Sequence, residues 1–270
     1  MSFSPSFLST VVDRLRAAGC VFAEDEARLL IDTARTPDDL AAMVDRRVAG
    51  LPLEHVLGWA EFCGLRVAVD PGVFVPRRRT EFLVRRAAAL ARPGAVVVDL
   101  CCGSGALGAA LAAMLGAAEA HTADIDAVEV HACDVDPAAV ACARRNLAAI
   151  GGRAYEGDLY DPLPATLRGR VDVLLANVPY VPTEEVALLP AEARDHEARV
   201  ALDGGADGLD VLRRVTAEAR DWLAPGGVLL SETSDRQAPS ALAALAGGGL
   251  SAQVANCDET DATVVIGMAG

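Results

Sequence analysis

Four short stretches of the chain combine residue types that could bind a ligand and act on it. The first is Asp99-Leu100-Cys101-Cys102-Gly103-Ser104-Gly105-Ala106-Leu107-Gly108. Gly103, Gly105 and Gly108 match the spacing G-x-G-x-x-G, in which glycines let the backbone approach a ligand and a helix start faces it. An ordinary tight turn from strand to helix uses the same spacing. Asp99 at the head of the loop favours a cationic ligand: a carboxylate repels a pyrophosphate but attracts the ammonium group of S-adenosyl-L-methionine. The second stretch is Cys133-Asp134-Val135-Asp136-Pro137. Pro137 suits a first helical turn and Asp136 the cap before it, which leaves Asp134 to accept the two hydroxyl protons of a ribose. In the third, Gly157-Asp158-Leu159, Asp158 is placed to meet an adenine amino group and Leu159 to pack on the ring; an exposed turn is the competing account. The fourth is Asn177-Val178-Pro179-Tyr180. It brings together an amide side chain, a free backbone carbonyl, a rigid proline and an aromatic face.

These stretches need elements to hold them. In an open parallel sheet, ligands sit beyond the carboxyl ends of the strands. Apolar runs at 96–98, 128–132, 171–176, 227–231 and 263–266 read as strands, with a weak one before Gly157, and 106–115, 137–150 and 209–223 read as helices. Strands that are continuously apolar are buried on both faces, so a mostly parallel sheet between helix layers is expected, with 263–266 closing it. Ahead of this region, Phe7, Leu8, Val11, Val12 and Leu15, then Ala27, Leu30 and Ile31, recur at helical intervals, and Thr36-Pro37 opens a helix over 38–48. Residues 65–69 alternate like a strand, Asp70-Pro71-Gly72 turns it and 73–75 returns, predicting a hairpin. The chain therefore divides into a helical domain at 1–60, a hairpin linker at 61–78 and an α/β domain at 79–270. Residues 247–249 read as a loop.

Composition narrows the function classes. A chain of 270 residues with 52% hydrophobic and 4% aromatic residues fills its core with Ala, Val and Leu, and is neither disordered nor a disulfide-stapled miniature. There is no Lys, and 38 acids against 24 Arg leave a net charge of -14. Such a surface repels phosphate backbones, so direct nucleic-acid binding is not expected. The one basic run, Arg77-Arg78-Arg79, reads as a solvated linker face. Seven Cys with no Cys-x-x-Cys pair fit free thiols in a reducing compartment, and the scattered His55, His121, His131 and His196 point to no metal site. With no leader pattern at 1–10 and no membrane-length apolar run, the expected location is cytoplasmic.

The run 177–180 resembles the Asn-Pro-Pro-Tyr motif of class I methyltransferases that act on a planar nitrogen. Pro52-Leu53-Glu54-His55-Val56-Leu57-Gly58, Glu61-Phe62-Cys63-Gly64-Leu65, Val75-Pro76-Arg77 and Thr80-Glu81-Phe82-Leu83-Val84 resemble the linker of the HemK/PrmC protein-(glutamine-N5) methyltransferases. So do Ala201-Leu202-Asp203-Gly204-Gly205-Ala206-Asp207-Gly208-Leu209-Asp210, and Pro225-Gly226-Gly227 leading to Glu232 and Gln237. The resemblance covers nearly the whole chain. It implies a Rossmann-like class I S-adenosyl-L-methionine-dependent methyltransferase sheet with a small N-terminal helical domain that docks substrate. The acceptor it implies is a glutamine presented by a protein, the Gly-Gly-Gln loop of a peptide-chain release factor in this family. Cofactor contacts then fall on Asp99, Cys101, Cys102, Gly103, Ser104, Gly105, Asp134, Asp158, Leu159 and Asn177, and the acceptor site on Asn177, Val178, Pro179 and Tyr180.

The chain departs from the family pattern at several points. Cys101 stands where a loop glycine is usual, which asks for an unstrained backbone there or a slightly displaced methionine moiety. Val178 replaces a proline, Arg78 and Arg79 replace a proline and an acid, Ala198 replaces a proline, and Thr233-Ser234 replaces an apolar-Gly pair. Because several departures lie on the substrate side, a divergent paralogue with another acceptor is also compatible. The alternatives are an N-methyltransferase of a small biosynthetic metabolite or of a nucleic-acid exocyclic amine.

Overall fold

The computed structural model describes residues 5–119 and 128–270, so His121 lies outside the described residues. Four helices open the chain: α1 (Pro5–Ala17), α2 (Ala23–Thr33), α3 (Pro37–Val48) and the short α4 (Leu53–Leu57). Leu15, Leu30, Leu40 and Val44 close a small core of their own among these helices. The start of α3 follows from its sequence: Thr36 is extended, its hydroxyl accepts from Asp39 N, and Pro37 occupies the first turn.

A two-stranded hairpin follows, but not where the sequence placed it. Its strands are β1 (Trp59–Phe62) and β2 (Leu65–Ala68), joined through Cys63 and Gly64. Both turn residues have positive φ, 51° and 75°, the geometry a two-residue hairpin turn requires. Residues 73–75 are not a strand. The backbone there runs beside residue 197 instead, with Gly72 and Glu197 forming a parallel bridge.

The α/β region begins with α5 (Glu81–Leu90) and continues β3 (Val96–Leu100), α6 (Ala106–Glu119), β4 (Glu129–Asp134), α7 (Pro137–Leu147), β5 (Arg153–Glu156), β6 (Val171–Ala176), α8 (Ala191–His196), α9 (Asp210–Trp222), β7 (Leu223–Thr233), α10 (Ala238–Gly247), β8 (Ser251–Cys257) and β9 (Ala262–Met268). Seven of the strands make one sheet in the order β5-β4-β3-β6-β7-β9-β8. The five from β3 to β7 are parallel, and β9 and β8 are antiparallel additions. The last strand does not close the sheet. It slots between β7 and β8, leaving β8 at the edge.

Alternate residues of the central strands pack on opposite helix layers, so both sets must be apolar. Val97, Val173, Leu175 and Leu230 pack toward α5, α6 and α7. Val98, Leu100, Leu174 and Leu229 pack toward α9 and α10. Among the described residues no helix is long and apolar enough to cross a membrane. The strand order reverses between β3 and β6, the place where a crevice opens at the carboxyl ends of such a sheet.

Candidate active site

The loops that follow β3, β4, β5 and β6 converge at that crevice on one cavity of about 890 Å3. Of the thirteen residues expected in the site, Cys101, Gly103, Ser104, Asp134, Asp158, Leu159, Asn177, Val178, Pro179 and Tyr180 line it. Asp99, Cys102 and Gly105 do not.

Asp99 corrects the sequence reading. Its residue is 1% exposed, and its carboxyl lies under α6, where Oδ2 accepts from Gly108 N at 3.0 Å. Oδ1 is buried with no hydrogen-bond partner. Burial, with Asp134 nearby, pushes the carboxyl up to about 8. The residue holds the loop to the helix and does not wall the cavity. Cys102 and Gly105 shape the turn: Cys102 N donates to Cys133 O at 3.0 Å, and Gly105 N to Cys102 O at 2.7 Å. A Cβ at Gly105 would press on Ala143 of α7 at 3.0 Å. Cys101 adopts φ 53°, the left-handed region, so of the two alternatives offered there the unstrained backbone does not hold. Burial pushes its thiol up, which keeps a cavity-lining sulfur neutral and a poor nucleophile.

Asp134 ends β4 and binds the glycine loop across the crevice. Its Oδ2 accepts from Gly103 N at 2.8 Å and its Oδ1 from Asp136 N at 2.9 Å. Each oxygen keeps a further lone pair, so a ribose hydroxyl can be accepted beside these bonds. Asp136 caps α7, accepting from Ala138 N at 2.9 Å. Asp158 pairs with Arg214 at 2.7 Å on the rim. Leu159, at φ 47°, turns its side chain into the wall. Three carboxylates against one paired arginine make this half attractive to a cation. That charge, together with the turn at 101–104, fits the ammonium and sulfonium of S-adenosylmethionine.

The other half is built on residues 177–181. Asn177 lines the cavity, yet its Oδ1 is buried without an internal donor. The segment after Val178 is clamped by the glycine-rich stretch at 204–208. Val181 N donates to Leu202 O at 3.1 Å, Gly204 N to Val181 O at 2.8 Å, and Gln237 Nε2 to Tyr180 O at 2.8 Å. A Cβ at Gly204 would overlap the Pro179 carbonyl, and one at Gly208 the Tyr180 carbonyl.

The arginine run is a solvated face in part and a wall of the site in part. Arg78 and Arg79 are exposed and Arg77 is half-buried, yet Arg77 and Arg79 also line the cavity and each meets a buried acid. Arg77 donates from Nη2 to both oxygens of Glu197, at 2.8 and 2.6 Å, and Val75 N donates to the same carboxylate at 3.1 Å. Burial raises Glu197, and Arg77 opposes the shift. Arg79 Nε donates to Glu232 Oε1 at 2.9 Å, and its Nη2 to the Tyr180 hydroxyl.

The sequence and the fold are similar to those of known proteins. The methyltransferase small domain family matches residues 64–206. A release factor glutamine methyltransferase of Geobacter sulfurreducens is 38% identical over 216 residues, covering 78% of this chain and 72% of its own. The chain belongs to the release factor glutamine methyltransferase family. Another relative, from Streptomyces pristinaespiralis, is named 4-amino-L-phenylalanine/4-methylamino-L-phenylalanine methyltransferase and is 37% identical over 204 residues, 73% of this chain and 66% of its own. The fold alone is shared with the T. thermophilus 16S rRNA N2 G1207 methyltransferase solved with AdoMet and guanosine: TM-score 0.54, 21% identity, 78% of this chain and 50% of that one.

Within this glutamine methyltransferase family member, sequence reasoning missed the partners of the arginine run and the roles of Glu197 and Glu232. The local signal was the motif that leads from Pro225-Gly226-Gly227 to Glu232, which says nothing of its partner. Pairing across 120 and 153 positions is invisible to spacing.

Proposed function

We propose that the chain transfers a methyl group from S-adenosylmethionine to the side-chain amide nitrogen of a glutamine in a peptide-chain release factor. The observation that carries this reading is the buried Asn177 Oδ1, an acceptor without an internal donor on a cavity-lining side chain. Burying such an atom unpaired costs about 1–3 kcal/mol, a cost removed when the side-chain amide turns Oδ1 toward the cavity and a ligand N–H meets it. Cys101, Gly103, Ser104, Asp134, Asp158 and Leu159 are the groups that would hold the cofactor. S-adenosylmethionine, when bound, supplies an electrophilic methyl on a positively charged sulfur.

An amide nitrogen is a weak nucleophile because its lone pair is delocalised into the carbonyl. Asn177 Oδ1 and the Val178 carbonyl accept the two amide protons and hold the nitrogen in line for transfer. Val178 offers the same carbonyl a proline would, with φ left less restricted. Tyr180 walls the pocket and Pro179 stiffens it. Rate enhancement then comes from orientation and from preset acceptors for the charge that develops on nitrogen, and the spare proton leaves to solvent. The helical region at 1–60 serves as the docking domain, with 61–78 as linker.

A second reading is favoured by one observation: Arg77 and Arg79 both line the acceptor half. A small amine carrying a carboxylate would suit them, as the substrate in the name of the S. pristinaespiralis relative does. Incubation of the full chain with labelled S-adenosylmethionine and a purified class I release factor, followed by mapping of the label, separates the two. Label on a glutamine amide supports the first; no label on the release factor, with label entering the small-molecule fraction when a lysate replaces it, supports the second. Asn177→Ala should lower transfer by roughly 100-fold or more while the cofactor Kd moves less than about threefold. Unchanged transfer removes Asn177 from its role.

A further inference from the structure

Tyr180 is held at both ends. Its carbonyl accepts from Gln237 Nε2 at 2.8 Å, and the glycine at 208 leaves room for that carbonyl. Its hydroxyl donates to Glu232 Oε1 at 2.8 Å and accepts from Arg79 Nη2. Arg79 comes from the turn that leads into α5, Glu232 from β7 and Tyr180 from the loop after β6, so three separate elements meet at one hydroxyl. The guanidinium of Arg79 also sits 5.8 Å from the centre of the Tyr180 ring.

Glu232 is an unusual carboxylate. It is 2% exposed, yet its Oε2 has no hydrogen-bond partner, and all its bonding falls on Oε1. It is spent on Arg79 and Tyr180. The bond from a tyrosine hydroxyl to an ionised acceptor is short and strong, and a side chain with two torsions anchored at both ends has one orientation.

We propose that Arg79 and Glu232 are positioning residues for methyl transfer, fixing the aromatic wall of the acceptor pocket through the Tyr180 hydroxyl. The proposal rests on the reading of Tyr180 as that wall. The turn before α5 is thereby part of the acceptor site: Arg79 supplies the cation without which the buried Glu232 charge would stand uncompensated.

Two measurements on the full chain test it. The chain has three tyrosines, so ring-labelled 13C tyrosine spectra are simple, and the Tyr180 signal is identified by its loss in Tyr180→Phe. Arg79→Met and Glu232→Gln should shift or broaden that signal, Arg79→Lys should restore part of it, and Arg78→Met should leave it unchanged. In steady-state transfer to a class I release factor, Arg79→Met should lower kcat/KM for the acceptor by roughly 10- to 100-fold with the cofactor Kd within about twofold. Adding it to Tyr180→Phe should cause no further loss, because both act through one hydroxyl. The inference is overturned if the Tyr180 signal ignores both substitutions, if the losses add, or if cofactor affinity falls in parallel. Glu232 is buried, so Arg79→Met, at a half-exposed position, carries the test if Glu232→Gln does not fold. Transfer unaffected by Tyr180→Ala, or absent from the wild-type chain, overturns the functional reading instead, while the spectra still report whether Arg79 and Glu232 hold the ring.

Discussion

A carboxyl buried as Asp99 is, with one oxygen unpaired, binds its proton far more tightly in the folded chain than in the unfolded one. Its folded value of about 8 lies above the unfolded carboxylate range near 4. Between those values the folded state holds a proton the unfolded state has lost, so stability from this group is full below about pH 4 and declines as pH rises toward 8, by about 1.4 kcal/mol per pH unit. Asp99→Asn keeps an oxygen for Gly108 N and cannot ionise. The variant should therefore lose that part of the decline in Tm between pH 5 and pH 8, while its cofactor Kd stays near the wild-type value. A large loss of cofactor affinity would return Asp99 to the ammonium-binding role read from the sequence. That role failed on the pleat: Asp99 shares a face of β3 with Val97, the face under α6, while the loop beyond Leu100 opens on the cavity.

At the scale of elements, the acceptor loop depends on backbone that only glycine permits. Gly208 has φ 78°, and a Cβ there would overlap the Tyr180 carbonyl and the Gln237 amide. Gly208→Ala should cost about 1–3 kcal/mol in urea unfolding and raise the acceptor KM, with cofactor affinity retained. Equal losses of both affinities would mean that the glycine stretch supports the whole crevice and not the acceptor loop. The segment was legible as a motif, and its glycines and Asp210 stand out in the sequence. What it packs on was not, because the loop it clamps lies some thirty residues earlier. The hairpin shows the same limit: Asp70-Pro71-Gly72 carries the stronger turn composition, but Cys63-Gly64 lies between two strands that alternate in register, and pairing selected it.

Across the whole molecule, the helical N-terminal region and the site wall meet at Arg47. Its guanidinium is buried, with Glu26 on α2 at 2.6 Å and Glu192 on α8 at 2.6 Å. Arg47→Ala strands the buried Glu26 and should destabilise the helical region by about 3–5 kcal/mol. Glu192→Gln removes only a half-exposed partner and should cost about 1 kcal/mol or less. Amide hydrogen exchange at Leu30 and Leu40 reads the difference: faster in the first variant, near wild type in the second. Equal protection in both would show that Arg47 is not what ties the helices to α8.

The alternation of apolar strands and helices and the positions of the four loops follow from local chemistry, because periodicity and turn composition act over a few positions and survive translation into structure; the family resemblance added the site residues, ten of which line the cavity. The side a strand residue faces, the bonds of Glu197 and Glu232, and the conversion of an arginine run from surface to site wall come from contacts between segments more than a hundred residues apart. Burial gives those pairings their strength, and burial exists only once the layers have packed.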